Sequence, residues 1–396
     1  MSDSKDLLTQ IREGLSEGNL SRRTFLARAG IAAAAGVAGL AATGTSLGAM
    51  TTRLASSTAA FWVPGEALPH KRTWMAWPSN LTIWGSHLLP GVQDNIALIA
   101  KTIAKYEPVI MCADGAVAAS VAMTKCGPTV QVISSIPVDD CWMADTAPQF
   151  RINGLGGMDA VGLNFNGWGN RQTHAKDALV AQRIATYLGL PFTAASFVGE
   201  GGAIQADGDG TVMATESSLV NSNRNGSKTK AQIEASVLAA YGASKMIWFP
   251  GIYNKDITDD HVDATSIFIR PGVTMDEYPL AAETSIWAND ERQQYDLLGT
   301  STDAKGRAFA RTKLVNPDVT KIRQRNSKTI VDAYANYHVV NGAVIAANFG
   351  DAAADAAAKL VLTNAYPGRV IEMLNIDNLA LGGGGIHCVT AGEPLL

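Results

Sequence analysis

Short β-like runs alternate with helical ones along most of this chain, and no feature narrows the fold more. Residues 73–77, 109–111, 130–133, 160–163, 211–215, 246–249, 265–269, 343–347 and 370–373 are β-branched or apolar and bounded by Gly, Pro or Asp, so they read as strands. Residues 94–106, 177–188, 228–241 and 351–365 carry helical spacing, and the last ends in Tyr366-Pro367-Gly368, a suitable stop. Such alternation predicts an α/β protein. No GxGxxG opens a helix and no phosphate loop is present, and no Pro- or Ser-rich linker divides residues 61–396. That region is expected to be one domain. Residues 291–326, polar and basic towards the end, are expected to form a surface excursion.

Composition excludes several classes. The 396 residues are 47% hydrophobic and 17% charged, with a net charge of −4. A nucleic-acid binder would be basic, and a disordered chain would be less apolar. Four cysteines are too few for a disulfide scaffold, although Cys112 and Cys126 could pair in an oxidising compartment.

The first sixty residues have a different character. Ser21-Arg22-Arg23-Thr24-Phe25-Leu26 precedes an Ala- and Gly-rich apolar run from Ile31 to Leu47. This is similar to a bacterial twin-arginine export signal. Residues 1–60 therefore read as a signal peptide and linker, with small residues offering cleavage points between Gly44 and Ala60. A spanning helix needs ~20 predominantly apolar residues, and this run is weak for that; an uncleaved anchor is the alternative. Export predicts a periplasmic or secreted protein that meets the membrane only in transit, with the twin-arginine translocation machinery as partner. Without the six basic and four acidic residues of this segment, 26 basic face 32 acidic residues, a balance of −6 that suits a cationic substrate.

Four stretches could carry chemistry. Asp259, His261 and Asp263 precede a strongly β-like run, which places His261 and Asp263 on one strand face, an acid/base beside a carboxylate. The same Asp-x-His-x-Asp run is similar to the metal-ligand run of manganese ureohydrolases, so metal binding is the rival reading. Gly382 to Gly385 precede His387 and Cys388; glycines belong where a chain turns tightly or a ligand comes close, and a cysteine beyond them is a candidate nucleophile. In extended chain His387 and Cys388 would point to opposite faces, making His261 the better base. Glu200 lies between glycines, and Asp145 lies alone in an apolar run. With Trp77, Trp142 and Trp168, these groups suit a planar guanidinium held by two carboxylates while sulfur attacks its carbon.

The chain from Trp62 to Pro394 resembles the agmatine deiminase family, with its related bacterial peptidylarginine deiminases. Its landmarks are Trp74-Met75-Ala76-Trp77-Pro78, Trp142-Met143-Ala144-Asp145, Asn164-Phe165-Asn166-Gly167-Trp168, Glu200-Gly201-Gly202, Asn223-Arg224-Asn225, His261-Val262-Asp263, Tyr334-Ala335-Asn336 and Gly383-Gly384-Gly385-Ile386-His387-Cys388. The resemblance implies the pentein fold, a five-bladed α/β propeller of ββαβ-type units. It implies Cys388 as nucleophile, His261 as general acid/base, Asp145 and Asp263 as guanidinium ligands, and Glu200 orienting His261 or lining the pocket. Trp77, Trp142 and Asn336 join the expected substrate-binding set. The implied reaction converts agmatine to N-carbamoylputrescine and ammonia with no metal or organic cofactor; arginine or peptidyl-arginine conversion to citrulline is the alternative, and a weakly catalytic guanidine-binding protein is a third. A homo-oligomer is left open, and no nucleic-acid partner is implied. Ala144 stands where the family usually has Arg, Asp260 where it has Gly, and Ala147 where it has Gly.

Overall fold

The computed structural model describes residues 60–327 and 329–396; the expected export segment lies outside them, apart from Ala60. Among the described residues no helix is long and apolar enough to cross a membrane. Five small sheets repeat one plan, two antiparallel strands, a helix, and a third strand parallel to the second.

In the first sheet β1 (His70–Ala76) runs parallel to β2 (Val109–Cys112) across α1 (Leu81–Ile103), and α2 (Gly115–Cys126) leads to an added β3 (Val130–Ile133). The second has β4 (Gln149–Ile152), β5 (Met158–Gly162), α3 (Val180–Leu188) and β6 (Phe192–Ala194). The third has β7 (Ile204–Ala206), β8 (Thr211–Thr215), α4 (Lys230–Tyr241) and β9 (Lys245–Phe249). Next come β10 (Ser266–Arg270), β11 (Val273–Tyr278), α5 (Ile286–Thr300) and β12 (Ala310–Val315). The fifth has β13 (His338–Val340), β14 (Ala343–Asn348), α6 (Ala352–Ala365) and β15 (Val370–Asn375). The final β16 (Ala391–Pro394) pairs antiparallel with β1, so the last strand completes the first sheet. Trp74 of β1 donates its indole N–H to Glu393 of β16 at 3.0 Å inside that joint.

Local chemistry sets these elements. Every residue of β8 is buried, as are the first five of β14, which explains their continuous apolar runs between covering layers. Helix α3 buries Val180, Ala181, Ile184 and Ala185 along one face. Helix α4 opens with a reciprocal capping box between Thr229 and Gln232 and stops at Gly242 in left-handed conformation (φ 63°), where a β-carbon would meet the Phe61 carbonyl oxygen at 2.1 Å.

Residues 291–326 depart from the expectation of a surface excursion. Their first ten residues finish α5, and Ala310–Val315 form the third strand of the fourth sheet, in parallel register with β11. The segment looked polar because β12 is an edge strand that buries only Leu314. We expect Leu314→Ala to cost about 2–5 kcal/mol in denaturant unfolding, as for a buried leucine, and Val315→Ala to stay within about 0.5 kcal/mol. Equal, small effects would return the segment to the surface.

Candidate active site

Cys388 lies in a short 3-10 turn, His387–Val389, directly before β16. The turn corrects the extended geometry expected there: His387 and Cys388 both reach Oδ2 of Asp263, His387 Nδ1 at 2.9 Å and Cys388 Sγ at 3.4 Å. The preceding glycines permit it. A β-carbon on Gly384 would stand 2.2 Å from the Trp142 ring, and one on Gly385 would stand 2.4 Å from Asn336 Oδ1. Asn336 clamps the cysteine, donating Nδ2 to Sγ at 3.2 Å and accepting the Cys388 amide at 3.3 Å.

His261 and Asp263 are likewise not on a strand. A 3-10 turn, Val262–Ala264, holds Asp263, with His261 capping its start, because the chain must bend before entering β10. Asp145 sits in the short helix Met143–Thr146, where its carboxylate accepts the Trp168 indole N–H and the Gly202 amide, each at 2.9 Å. His261 Nδ1 is 3.7 Å from Asp145 and its Nε2 is 3.4 Å from Glu200, which are ion-pair separations. Glu200 is fully buried and receives Arg224 Nε at 3.0 Å; Arg224 also binds Asp259, which Arg171 grips from the other side.

A cavity joins these groups. It is lined by Cys388, His261, Asp145, Asp263, Asp256 and the indoles of Trp142 and Trp168, with Thr258, Gly383 and Gly384 among its other walls. Glu200 stands behind His261 and does not line it, and Asn336 acts on the thiol. Trp77 is fully buried in the hydrophobic core and does not line the cavity either; its apolar ring packs into the core instead. The four cysteines are unbridged, and Cys388 is the one not fully buried.

The electrostatics separate two carboxylates. Burial pushes Asp145 up to about 6, with His261 opposing and Asp263 and Glu200 adding to the rise. Burial works the same way on Asp263, but the hydrogen bond and charge of His387, then the charge of His261, hold it below the ordinary aspartate value. For His261 burial acts downward and is outweighed by Asp145, Glu200 and Asp263, which raise it to about 9. Burial, then the Asp263 and Asp145 charges, push the Cys388 thiol well above its usual value. These shifts pair a protonated histidine with a neutral thiol. A cation between Asp145 and Asp263 would offset the charges that hold the proton on sulfur.

Asp259, weighed above as a metal ligand with His261 and Asp263, is engaged by two arginines. Donor atoms of His70, Glu107 and His338 lie within 4.8 Å of one another, in a separate network with the Thr73 hydroxyl, which is 2.6 Å from Glu107 and 3.0 Å from His338. Ala144 and Ala147, where the family usually has Arg and Gly, line a second cavity of about 100 Å³ bordered by Glu66, Tyr241, His338 and His387. The supporting contacts of Asp145 come instead from Trp168 and Gly202.

A family model described as Porphyromonas-type peptidyl-arginine deiminase matches residues 62–394. The chain belongs to that family. The agmatine deiminase of Stutzerimonas stutzeri (strain A1501) is 32% identical over 357 residues, covering 84% of this chain and 95% of the relative. That of Pseudomonas fluorescens (strain SBW25) is 33% identical over 364 residues, with coverage of 84% and 95%. Among solved structures, the agmatine deiminase of Enterococcus faecalis superposes with a TM-score of 0.78 at 28% identity, over 87% of this chain and 99% of that one. A C. jejuni agmatine deiminase, at 17% identity, shares the fold with a TM-score of 0.70, over 85% of this chain and 97% of that one. The five-sheet architecture is the pentein propeller that the resemblance implied.

Sequence reasoning missed Trp168 as the Asp145 donor, Arg224 as the Glu200 partner and Glu66 altogether, and it set His387 aside as pointing away from Cys388. Arg224 and Trp168 lie within quoted landmarks; only their contacts were invisible. Gly202 is the glycine that faces three of the site's charged groups at once: a β-carbon there would lie 2.7 Å from Asp145 Oδ1 and 3.0 Å from both Asp263 Oδ2 and His261 Nδ1. Gly202→Ala should therefore lower kcat/KM for the physiological guanidine at least about 100-fold, a loss of about 2.7 kcal/mol, while far-UV circular dichroism stays native. Near-normal kinetics would mean that these three groups need not keep their spacing.

Proposed function

We propose that this protein is an agmatine deiminase that hydrolyses agmatine to N-carbamoylputrescine and ammonia through a covalent cysteine intermediate. One observation carries the choice of substrate: beside Cys388 and His261, the cavity wall has three carboxylates, Asp145, Asp256 and Asp263, two indoles and, among the described residues, no lysine or arginine. Agmatine is a dication. Its guanidinium would donate to Asp145 and Asp263, and Asp256, which also accepts the Thr258 hydroxyl and the Asp260 amide, would add negative charge for the distal ammonium. A substrate with a free α-carboxylate would meet like charge there.

The chemistry follows from the charge states. Guanidinium binding offsets Asp145 and Asp263 and favours ionisation of Cys388, whose proton leaves to solvent because His261 already carries one; the thiolate sulfur then attacks the guanidinium carbon. The neutral tetrahedral adduct receives a proton from His261 on one amino nitrogen, the C–N bond breaks, and ammonia departs, leaving an S-alkylthiouronium cation. His261, now neutral, takes a proton from water as its oxygen adds to the same carbon. Collapse expels the thiolate, and loss of the hydroxyl proton gives the ureido product. Glu200 and Arg224 hold His261 in place from behind.

Incubating the purified protein with agmatine, free arginine and an arginine-containing peptide, and assaying ammonia and urea, tests this. Ammonia should appear fastest with agmatine. Citrulline from the peptide would favour the second reading, which the family description keeps in play, and urea release would sink the thiol mechanism. Cys388→Ala should lose turnover by at least about 1,000-fold while still binding agmatine. The kcat/KM profile should fall as pH rises through about 9, where His261 of the free enzyme loses its proton. The sign for stability is the same: a value raised from 6.5 to about 9 in the folded state gives stabilisation fully present below 6.5 and lost as pH rises through about 9.

We also infer export by the twin-arginine route, on the strength of Ser21-Arg22-Arg23-Thr24-Phe25-Leu26. Replacing Arg22 and Arg23 by Lys should leave precursor in the cytoplasm of an expressing bacterium. Unchanged periplasmic protein would refute the signal.

A further inference from the structure

We propose that Glu66 and His387 form a positioning pair that fixes the charge and orientation of Asp263 behind the nucleophile. The inference deepens the deiminase reading and rests on it for the role of Asp263. It starts from geometry. His387 Nδ1 lies 2.9 Å from Asp263 Oδ2, and Nε2 lies 2.9 Å from Glu66 Oε1. Both ring nitrogens thus face anionic acceptors. A neutral imidazole has one N–H and would turn a lone pair towards one of those oxygens, so the ring is an imidazolium donating at both ends. His387 is buried, and its charge is the one nearest Asp263 from the side away from the substrate cavity.

Glu66 makes that charge tolerable. It precedes β1 in sequence, far from the turn that carries His387, and Gln205 Nε2 donates to the same Oε1 at 3.2 Å. Its side chain keeps 39% of its surface open and borders the second cavity, so the carboxylate retains room for hydration. Burial raises Glu66, but His387 outweighs it and holds the carboxyl down at about 2. The result is an alternating row, Glu66 negative, His387 positive, Asp263 negative, ending beside the Cys388 sulfur at 3.4 Å. Asp145 has His261 as its nearest cation, at 3.7 Å and shared with Glu200, and its hydrogen bonds come from the neutral donors Trp168 and Gly202. This contrast accounts for two guanidinium-facing aspartates having opposite tendencies to bind a proton.

The consequence is functional. A protonated Asp263 can accept fewer guanidinium N–H bonds, and one of its oxygens would present a hydroxyl donor to the guanidinium instead. The row keeps it ionised and fixed when the pocket is empty, before substrate supplies any charge. The titratable neighbours are few: Asp263 faces His261, His387, Cys388 and Asp145, while His387 faces Glu66, Asp263 and the buried, neutral-leaning His338, and Glu66 faces Tyr241, Tyr337 and Tyr366.

Glu66→Gln keeps an acceptor for His387 and removes the charge. We expect its agmatine KM to rise about tenfold and its kcat to stay within about threefold. The kcat/KM profile, whose acidic limb Asp145 sets at about pH 6, should fall more steeply below that limb as Asp263 takes up its proton at higher pH than in the wild type. Glu66→Asp should recover part of both. A folded Glu66→Gln with wild-type KM and pH profile would overturn the proposal. A second measurement is independent of how that variant folds: in ¹⁵N-histidine-labelled wild-type protein at pH 7, the resonances assigned to His387 through their loss in His387→Gln should show both ring nitrogens protonated. A single N–H would also overturn it. If wild-type protein releases no ammonia from any guanidine, the deiminase reading fails on its own, and the labelled spectrum still decides the state of His387.

Discussion

The pairing of β16 with β1 is the constraint from which the site follows. Within one chain, the strand that ends the fifth repeat must return to the first, and the residues just before it are carried to the centre with it. Cys388 is three residues ahead of the first paired position of β16, and Asp145 and His261 come from turns between other sheets. A cysteine at the end of the sequence thereby meets a histidine more than a hundred residues earlier. The joint is reinforced where it matters: the buried Trp74 indole donates to Glu393, and Arg72 lies 3.1 Å from the same carboxylate. A loosened joint would move the nucleophile and not merely an edge strand.

What fills the centre is electrically unusual. Four carboxylates, Asp145, Glu200, Asp259 and Asp263, are buried within a few residues of one another in space. Left alone, such groups would bind protons, since desolvation penalises the charged form. The fold answers each one differently. Arg224 bridges Glu200 and Asp259, and Arg171 adds a second grip on Asp259. His261 stands between Asp145 and Glu200. Those paired charges leave Asp145 and Asp263 to address a cation, which is why a mildly acidic chain concentrates its acidity here. Breaking one partner would strand a buried charge, a larger penalty than the intact pair's net contribution to stability.

The sequence was legible where pattern and physics coincide. β3 and β8 fall on the residues their β-branched, apolar runs marked, and 177–188 contains the amphipathic α3 with its short 3-10 lead-in. β12 was hidden because an edge strand with one buried leucine has no alternating signature. β6 and β13, three residues each, are too short to announce themselves, and β4 buries only Phe150 and so shows no alternation. In the site, residue identities could be read from the motifs, but turn geometry could not. Both the His261 and the Cys388 segments look extended and are 3-10 turns. That error is what set His387 aside, because alternation along a strand would turn it away from Cys388. Glu66 had no local signal whatever; its meaning comes only from the closure that brings the start of β1 beside the turn ahead of β16.

The turn entering His261 shows how much backbone distortion the centre sustains. Asp259 and Asp260 are consecutive non-glycine residues with left-handed φ of 59° and 73°. A left-handed residue costs roughly 1 kcal/mol or more without glycine's freedom, so something must hold two in succession. The surrounding hydroxyls do: Ser217 donates to the Asp259 carbonyl at 2.7 Å and Thr215 to the Asp260 carbonyl at 2.6 Å, while Asp256 accepts the Asp260 amide at 2.9 Å. The family's usual glycine at 260 suits the left-handed conformation observed there. With aspartate, the same path is enforced by β8 and its following turn, which supply Thr215 and Ser217. His261 therefore takes its position from the third sheet as well as from its own segment, and the geometry of the acid/base is tied to a blade that contributes no reacting atom.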